Sequence, residues 1–257
     1  MTQRLSLAAV LLVLLALASL ARAETKQQGN LRVSFDGKLS PHTLPRTGTA
    51  PIEVTVGAKI AATDGKAPPQ LRKISIAINR NGKLDAKGLP LCPLDRIQPS
   101  TTADALAACR SSLVGEGSFS AKVLLPQQAP FPSLGKVYAF NGVLNGKPVI
   151  FAHVYGTSPV PTSYTIPFVI STTKGTFGTV LSASLPNVTS EWGYVTGLSM
   201  TLGRSFSSHG KKRSYLAAGC PAPTGFPSAS FSFARATFGF GKKTLTSTLT
   251  RSCGARG

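Results

Sequence analysis

Apolar and polar residues alternate along most of this chain. In residues 52–60, Ile52, Val54, Val56 and Ile60 share one side of an extended backbone, whereas Lys59 lies on the other side. The same alternation recurs in four further groups: Ile74, Ile76 and Ile78; Phe119, Ala121, Val123 and Leu125; Tyr164, Ile166, Phe168 and Ile170; and Leu198, Met200 and Leu202. Such alternation predicts half-buried strands. Many short strands separated by Gly, Pro and Asn predict an all-β fold, an antiparallel β-sandwich type.

Residues 91–117 break this alternation and predict one short helix. Thr102 can cap a helix, and Asp104 would lie in its positively polarised first turn. Leu106, Cys109 and Leu113 then fall on one helical face. We therefore expect a single helix near residues 102–111 within an otherwise β protein.

Two other local patterns predict specific backbone features. Asn81-Gly82 is a dipeptide typical of a two-residue hairpin turn. In residues 230–240, Phe231 and Phe233 have one parity and Phe238 and Phe240 the other. A β-bulge between Arg235 and Thr237 would place all four rings on one face. A strand that is buried on both faces is the alternative.

Four cysteines suggest two disulfides rather than a metal site. The separations are too wide for a zinc knuckle, which has two to four residues between paired ligands. The histidines His42, His153 and His209 form no ligand motif. Three pairings are possible. We expect the nearest-neighbour pairing, Cys92 with Cys109 and Cys220 with Cys253, because the first bond would pin the helix across the preceding segment. A hairpin turning at residues 241–243 would bring the second pair together.

The N-terminal residues 1–23 read as a secretory signal peptide. A positively charged start is followed by an apolar core that is short for a membrane span, and Ala21-Arg22-Ala23 has small residues at the positions that a signal peptidase recognises. The mature region would be residues 24–257, which would form one large β region. The proline-rich segment 126–136 is a possible boundary between two lobes.

Charge is the strongest compositional signal. The full chain has a formal net charge of +19. Arg4 and Arg22 would leave with the signal peptide, so that 26 of the 28 basic residues and all 9 acidic residues remain, a net charge of +17. Such a protein should accumulate near anionic polymers of the cell envelope or the extracellular space. Solubility alone is the competing interpretation. The densest cluster, a possible anion-binding site, comprises Arg204, Lys211, Lys212 and Arg213, with His209 beside them.

Catalytic motifs are lacking in this sequence. It has no nucleophile elbow, zinc-protease motif or phosphate-binding loop. His153 lies among aromatic residues, which favours a packed histidine over a general base. Trp192 and Tyr194 are the aromatic residues that we expect to be exposed if the protein has a sugar-binding platform, although burial is the commoner fate of a lone tryptophan. Thr244, Thr246, Thr248 and Thr250 share one face of a predicted strand. An ordinary half-exposed strand is preferred to a threonine binding surface.

Four segments, "GLPLCP", "AACRSSLVGEG", "SYLAAGCPAPTGF" and "LTRSC", resemble a group of secreted bacterial proteins with no assigned activity. The resemblance implies an exported, cysteine-linked protein, and it implies no ligand or catalytic residue. It also argues against use of the glycosylation sequon Asn187-Val188-Thr189. We therefore expect a secreted or envelope protein that is not an enzyme, needs no cofactor or metal, and binds anionic polymers through its basic surface. The alternative is an extracellular polymer hydrolase with an unrecognised carboxylate site.

Overall fold

The computed structural model describes residues 23–157, 161–185 and 193–257. Three sequence predictions concern residues outside this part of the chain. They are the signal peptide (except for its last residue), the exposure of Trp192, and the Asn187-Val188-Thr189 sequon. Within the described part, strands dominate and are joined by short turns.

The strands follow one another along the chain with one α-helix between the seventh and the eighth. The strands are β1 (Glu24–Gln28), β2 (Leu31–Ser40), β3 (Thr43–Pro45), β4 (Ala50–Pro51), β5 (Glu53–Ala62), β6 (Lys73–Asn79), β7 (Gly82–Leu84), β8 (Leu113–Val123), β9 (Phe131–Leu144), β10 (Lys147–Gly156), β11 (Thr162–Thr172), β12 (Phe177–Ser184), β13 (Gly193–Leu202), β14 (Ser205–Ser208), β15 (Lys211–Ser214), β16 (Leu216–Ala218), β17 (Ser228–Phe240) and β18 (Lys243–Arg256). Helix α1 covers Thr102–Cys109, with 3₁₀ turns at Leu94–Arg96 and Arg110–Ser112 on either side.

Thirteen strands form one large sheet in the order β1-β2-β5-β13-β8-β9-β10-β11-β12-β6-β17-β18-β3. Its pairs are antiparallel except for β18 with β3. The predicted all-β, antiparallel fold with one short helix is confirmed. The two opposing layers expected of a sandwich are here two walls of the same curled sheet.

The two ends of the sheet meet because it curls back on itself. Strand β18 contacts β1 and β2, although no ladder of backbone hydrogen bonds joins it to them among the described residues. The Arg251 side chain on β18 is buried, and its Nε donates to the carbonyl oxygen of Gly37 on β2 at 2.6 Å. A Cβ at Gly37 would lie 3.0 Å from Leu249 Cδ1, so glycine permits the close approach of the two strands. We call this contact the seam.

Inward-facing residues of the curled sheet form the main core. Phe35 on β2 and Phe238 on β17 meet edge to face, with ring centroids 6.0 Å apart. Leu31, Leu249 and Ala236 are fully buried in the same cluster. Alternation along strands such as β2 and β18 therefore has the predicted consequence: one face of the strand packs inward and the other faces solvent.

One end of the curled sheet is covered by a small second sheet and a disulfide. Strands β4, β16 and β7 form this second sheet, and Tyr215 beside it is fully buried. The disulfide Cys220–Cys253 ties the segment after β16 to β18, with 5.8 Å between the Cα atoms. It links this cover to the main sheet, in the pairing expected from the sequence.

Residues 91–112 pack on the outer face of β9 and β10. The disulfide Cys92–Cys109 joins the start of this segment to the end of α1. A second core forms beneath it from Ile97, Ala105, Phe140 and Phe151, together with Val149 and Tyr138. This explains why β9 and β10 contain uninterrupted apolar runs: these strands are buried on both faces.

The predicted bulge is present in β17, but at a different residue. The register between β17 and β18 shifts between Ser232 and Ala234, so the extra residue is Phe233 and not one between Arg235 and Thr237. Arg235 stays outward, with its guanidinium carbon 4.6 Å from the centroid of the Phe177 ring. The bulge brings all four phenylalanines of the strand to the main core cluster.

The predicted hairpin at Asn81-Gly82 is wrong. Strand β6 pairs with β12 and β17, whereas β7 crosses to the small sheet and pairs with β16. The Asn79 side-chain oxygen accepts hydrogen bonds from the backbone N–H and side chain of Asn81, at 3.0 and 2.8 Å. This local side-chain turn redirects the chain without the positive φ angles that the hairpin turn would require.

The possible lobe boundary at residues 126–136 lies between neighbouring strands. Its second half begins β9, which pairs with β8 and β10 in the large sheet. The division into lobes stays a prediction. No helix in the described part of the chain is long and apolar enough to cross a membrane.

The N-cap of helix α1 is Thr101, one residue before the predicted cap Thr102. The Thr101 hydroxyl accepts a hydrogen bond from the Asp104 backbone N–H at 3.2 Å and donates to the Asp104 carboxylate at 2.7 Å. Replacing Thr101 by Ala should lower the free energy of unfolding by about 1 kcal/mol. Thr102→Ala, one position inside the helix, is the matched control. Denaturant unfolding of both variants would show whether the first loss exceeds the second; equal losses would contradict the role of Thr101 as cap.

Candidate functional site

An apolar chamber lies between the walls of the curled sheet. It has two adjoining parts, of about 100 Å³ and about 110 Å³. Both parts are lined by the same five side chains at their junction, namely Val56, Ile76, Ala152, Phe168 and Met200. Strands β5 and β6 each line the chamber with three residues that alternate along the strand. Three alternate residues span four residue steps, or about 13 Å. The chamber is therefore elongated along these strands.

Residues that line the chamber are less buried than their inward position would suggest. Val56, Ile76, Phe168 and Met200 are only half-buried, although they lie on the inner face of the sheet and belong to the edge of the main core. They retain accessible surface because the chamber is not filled by side chains. Ala152 adds little volume at the junction. This differs from the close packing of ordinary protein interiors.

The polar groups at one end of the chamber are already engaged. Asn79 and Asn81 line the second part. The Asn79 amide nitrogen donates to the carbonyl oxygen of Ser232 at 2.7 Å, and its oxygen accepts from Asn81. No lysine, arginine, aspartate or glutamate lines either part. The chamber therefore matches an apolar molecule and provides no charged partner.

Among the described residues, β11 and β12 pair from Val169 with Ser182 to Thr172 with Thr179 and no farther. Strand β11 starts at Thr162 and β12 ends at Ser184, so the pairing of their described parts leaves a gap in this wall of the chamber. Ile166, Phe168 and Leu185 line the chamber along this unpaired stretch. We call these three residues the portal. Pro167 lies within the unpaired stretch and has no N–H to donate to a neighbouring strand.

The cationic cluster predicted from the sequence lies on a hairpin formed by β14 and β15, which pair with each other outside the large sheet. His209 and Gly210 form its turn, both with positive φ. Lys211 and Lys212 follow the turn and are exposed. They are the two members of the predicted site that are exposed to solvent.

The other two members of the predicted site anchor the hairpin. Arg204 donates hydrogen bonds to the carbonyl oxygens of Arg110 and Leu113 at 2.9 and 2.6 Å, which ties the hairpin to the end of the helical segment. Arg213 forms an ion pair with Asp85, with 2.9 Å between Nη1 and Oδ2. Within the predicted cationic cluster, the two arginines therefore anchor the hairpin, whereas the two lysines face solvent.

His153 is fully buried between β10 and the helical segment. Its Nδ1 lies 3.0 Å from the carbonyl oxygen of Ile97, so the proton must be on Nδ1 for a hydrogen bond to form. Thr165 donates to the same oxygen at 3.3 Å. Loss of solvation lowers the pKa of His153 below its ordinary value of 6.5, which the Ile97 hydrogen bond partly opposes. A neutral, packed imidazole results.

The remaining sequence-derived candidates are dispersed. Tyr194 is buried, so its predicted exposure is wrong and it cannot form a sugar platform. Thr244, Thr246 and Thr250 are exposed on β18, and the Thr246 hydroxyl lies 3.1 Å from that of Thr237 on β17. No group of three or more potential metal ligands occurs among the residues that the structure describes.

Sequence reasoning missed the chamber. Alternation places Val56, Ile76 and Met200 on the inner face, but it cannot show whether the opposite wall fills the space between them. A small residue among large ones, such as Ala152 in residues 149–154, was the available signal. Neither a protein-family model, a curated protein nor a solved structure matches this chain.

The burial of His153 makes a prediction about acid stability. The native protein binds this proton more weakly than the unfolded chain does, so stability should fall as the pH drops below about 6.5, where only the unfolded state gains the proton. In His153→Asn the side-chain amide keeps a donor near Ile97 and no longer titrates. Unfolding measured between pH 7.5 and about pH 5 should show a shallower pH dependence for the variant, by at most about 1.4 kcal/mol per pH unit. Equal slopes would show that His153 does not contribute.

Proposed function

We propose that this protein is an exported, non-enzymatic protein that binds anionic polymers of the cell envelope or the extracellular space through its basic surface. Its two disulfides fit an oxidising compartment. The large positive charge of the chain provides the attraction. This attraction depends on charge and needs no catalytic group.

The observation that carries the proposal is the scarcity of internal charge pairing. Within the described ranges the structure contains a single ion pair, between Arg213 and Asp85, although basic residues outnumber acidic ones by 28 to 9 in the full chain. Most of the cationic excess is therefore not compensated by carboxylates. Exposed lysines such as Lys59, Lys122, Lys211 and Lys212 can take counterions from solvent or from a polyanion.

The hairpin is a part of this surface that the structure anchors. Arg204 and Arg213 hold it in place through the contacts described above, while Lys211 and Lys212 stay exposed beside its turn. Fixed positions reduce the entropy that would be lost on binding a polymer. The hairpin is therefore the proposed docking point for anionic groups.

An extracellular polymer hydrolase is the alternative function, and it needs two carboxylates that face each other across the scissile bond. Neither part of the chamber is lined by a carboxylate. Asp85 is engaged by Arg213, and Asp104 accepts from the Thr101 hydroxyl. The geometry thus favours binding over hydrolysis.

We expect residues 24–257 to bind heparin, used as a soluble polyanion, with an affinity that falls steeply as salt increases because bound counterions are released. The Debye length shrinks from about 10 Å at 0.1 M to about 3 Å at 1 M salt, so surface contacts should be nearly lost at the higher concentration. Lys211→Ser with Lys212→Ser should weaken binding more than Lys59→Ser with Lys122→Ser. Titration at several salt concentrations measures both effects.

The two double variants remove the same charge and leave the Arg213–Asp85 ion pair in place. A larger loss for the hairpin variant supports a docking point at Lys211 and Lys212. Equal losses would show that net charge alone acts and would overturn the hairpin site. Equal binding of uncharged dextran, or binding that is insensitive to salt, would overturn the proposed function.

A further inference from the structure

We propose that the chamber is a binding site for one unbranched alkyl chain, such as that of a fatty acid or a single-chain lipid. The site is separate from the basic hairpin, and the inference does not depend on polyanion binding. It rests on the lining, the shape and the opening of the chamber.

The lining selects an apolar ligand. The side chains at the junction are aliphatic, aromatic or thioether. The polar side chains of the lining are the uncharged Ser118 and Ser199 in the first part and Asn79 and Asn81, which already bond each other, in the second. An ionised group placed here would lose its hydration without gaining a partner, which is strongly unfavourable. An apolar chain loses no hydrogen bond on entry and gains both dispersion and burial.

The shape selects a narrow ligand. Each part of the chamber is smaller than the roughly 150 Å³ cavity that holds one benzene molecule in an engineered protein. The parts adjoin end to end between Val56, Ile76, Phe168 and Met200, over about 13 Å of strand. A flexible chain can occupy both parts in sequence. A rigid fused-ring molecule would need the side chains at the junction to move apart.

The portal is the part of the wall that offers a route of entry. The chamber-lining residues Ile166, Phe168 and Leu185 border the stretch where the described residues of β11 and β12 do not pair. Entry here breaks no backbone hydrogen bond between the described parts of these two strands. The polar head of an amphiphile would stay at the portal, since the chamber has no charged side chain to receive it. We therefore expect the chain, and not the head group, to determine affinity.

The test is equilibrium binding to residues 24–257 of cis-parinaric acid, a fluorescent fatty acid, with displacement by dodecanol and by dodecanoate. Both competitors should displace the probe with similar affinity because they share the chain. Ala152→Leu adds volume at the junction and should weaken probe binding at least tenfold. Ala61→Leu makes the same change at an exposed position of β5 and should leave binding unchanged.

A second variant and a second measurement distinguish loss of the binding site from misfolding of the protein. Val56→Phe fills the junction from a half-buried position on another wall. Dodecanol should raise the melting temperature of the unmodified protein, because a ligand that binds only the native state stabilises it. It should not raise that of either filled variant, each of which should still unfold cooperatively.

Three results would overturn the inference. The first is no saturable probe binding to the unmodified protein. The second is undiminished binding in cooperatively folded Ala152→Leu and Val56→Phe. The third is displacement by pyrene at concentrations well below those needed for dodecanol, which would assign the chamber to fused-ring ligands. Failure of heparin binding would leave all three measurements unaffected, so the two proposals can be judged separately.

Discussion

The seam between β2 and β18 is the contact on which the rest of this structure depends. A twisted sheet of thirteen strands would expose its apolar face if its ends stayed apart. At the seam, Arg251 donates to the carbonyl oxygen of Gly37, and Gly37 leaves room for Leu249. A buried guanidinium is costly unless its donors are satisfied. Two backbone carbonyls, those of Gly37 and Thr250, accept from it, so the cation can remain within the seam.

Closure of the sheet gives it an apolar inner face and a mostly solvent-exposed outer face. Leu31 and Leu249 are fully buried next to the seam. Phe35 and Phe238, together with Val56, Phe168 and Met200, line the chamber. The cover held by Cys220–Cys253 closes one end, and the helical segment held by Cys92–Cys109 thickens the wall at β9 and β10. Cys220–Cys253 therefore fixes a peripheral part to the sheet, whereas Cys92–Cys109 closes the helical segment on itself. The sheet already has its own core, as the length of the chain suggested.

The strands could be predicted from the sequence because alternation is a local property of two successive side chains. The short helix was equally accessible, since its cap and first-turn acid lie within a few residues of each other. The bulge shows what such local patterns cannot predict. The parity of the phenylalanines required an extra residue somewhere in β17. That this residue is Phe233 depends on how the ring packs in the core, and parity carries no information about packing. The hairpin predicted at Asn81-Gly82 was wrong for a related reason. The Asn79 side chain and the pairing partners of β6 decide the path of the chain there, and both depend on the tertiary structure.

Candidate sites were harder to predict than strands because sequence proximity says little about the partner of a charged or apolar group. Arg204 and Arg213 looked like neighbours of Lys211 and Lys212 in a single cationic site. Their partners, the carbonyls of Arg110 and Leu113 and the carboxylate of Asp85, are all distant in sequence. The chamber likewise requires knowledge of which wall faces which.

Strand β5 contributes to both of the surfaces for which we propose binding. Ala58 points inward and lines the chamber, whereas Lys59 is exposed on the outer face. Successive side chains of a strand point to opposite faces, so a change at one position leaves the other face largely intact. A basic exterior and an apolar chamber can therefore be altered independently in the same sheet. If both are occupied together, a polyanion outside and an alkyl chain inside would stabilise the same closed sheet, and the seam would couple them only through the stability of that sheet.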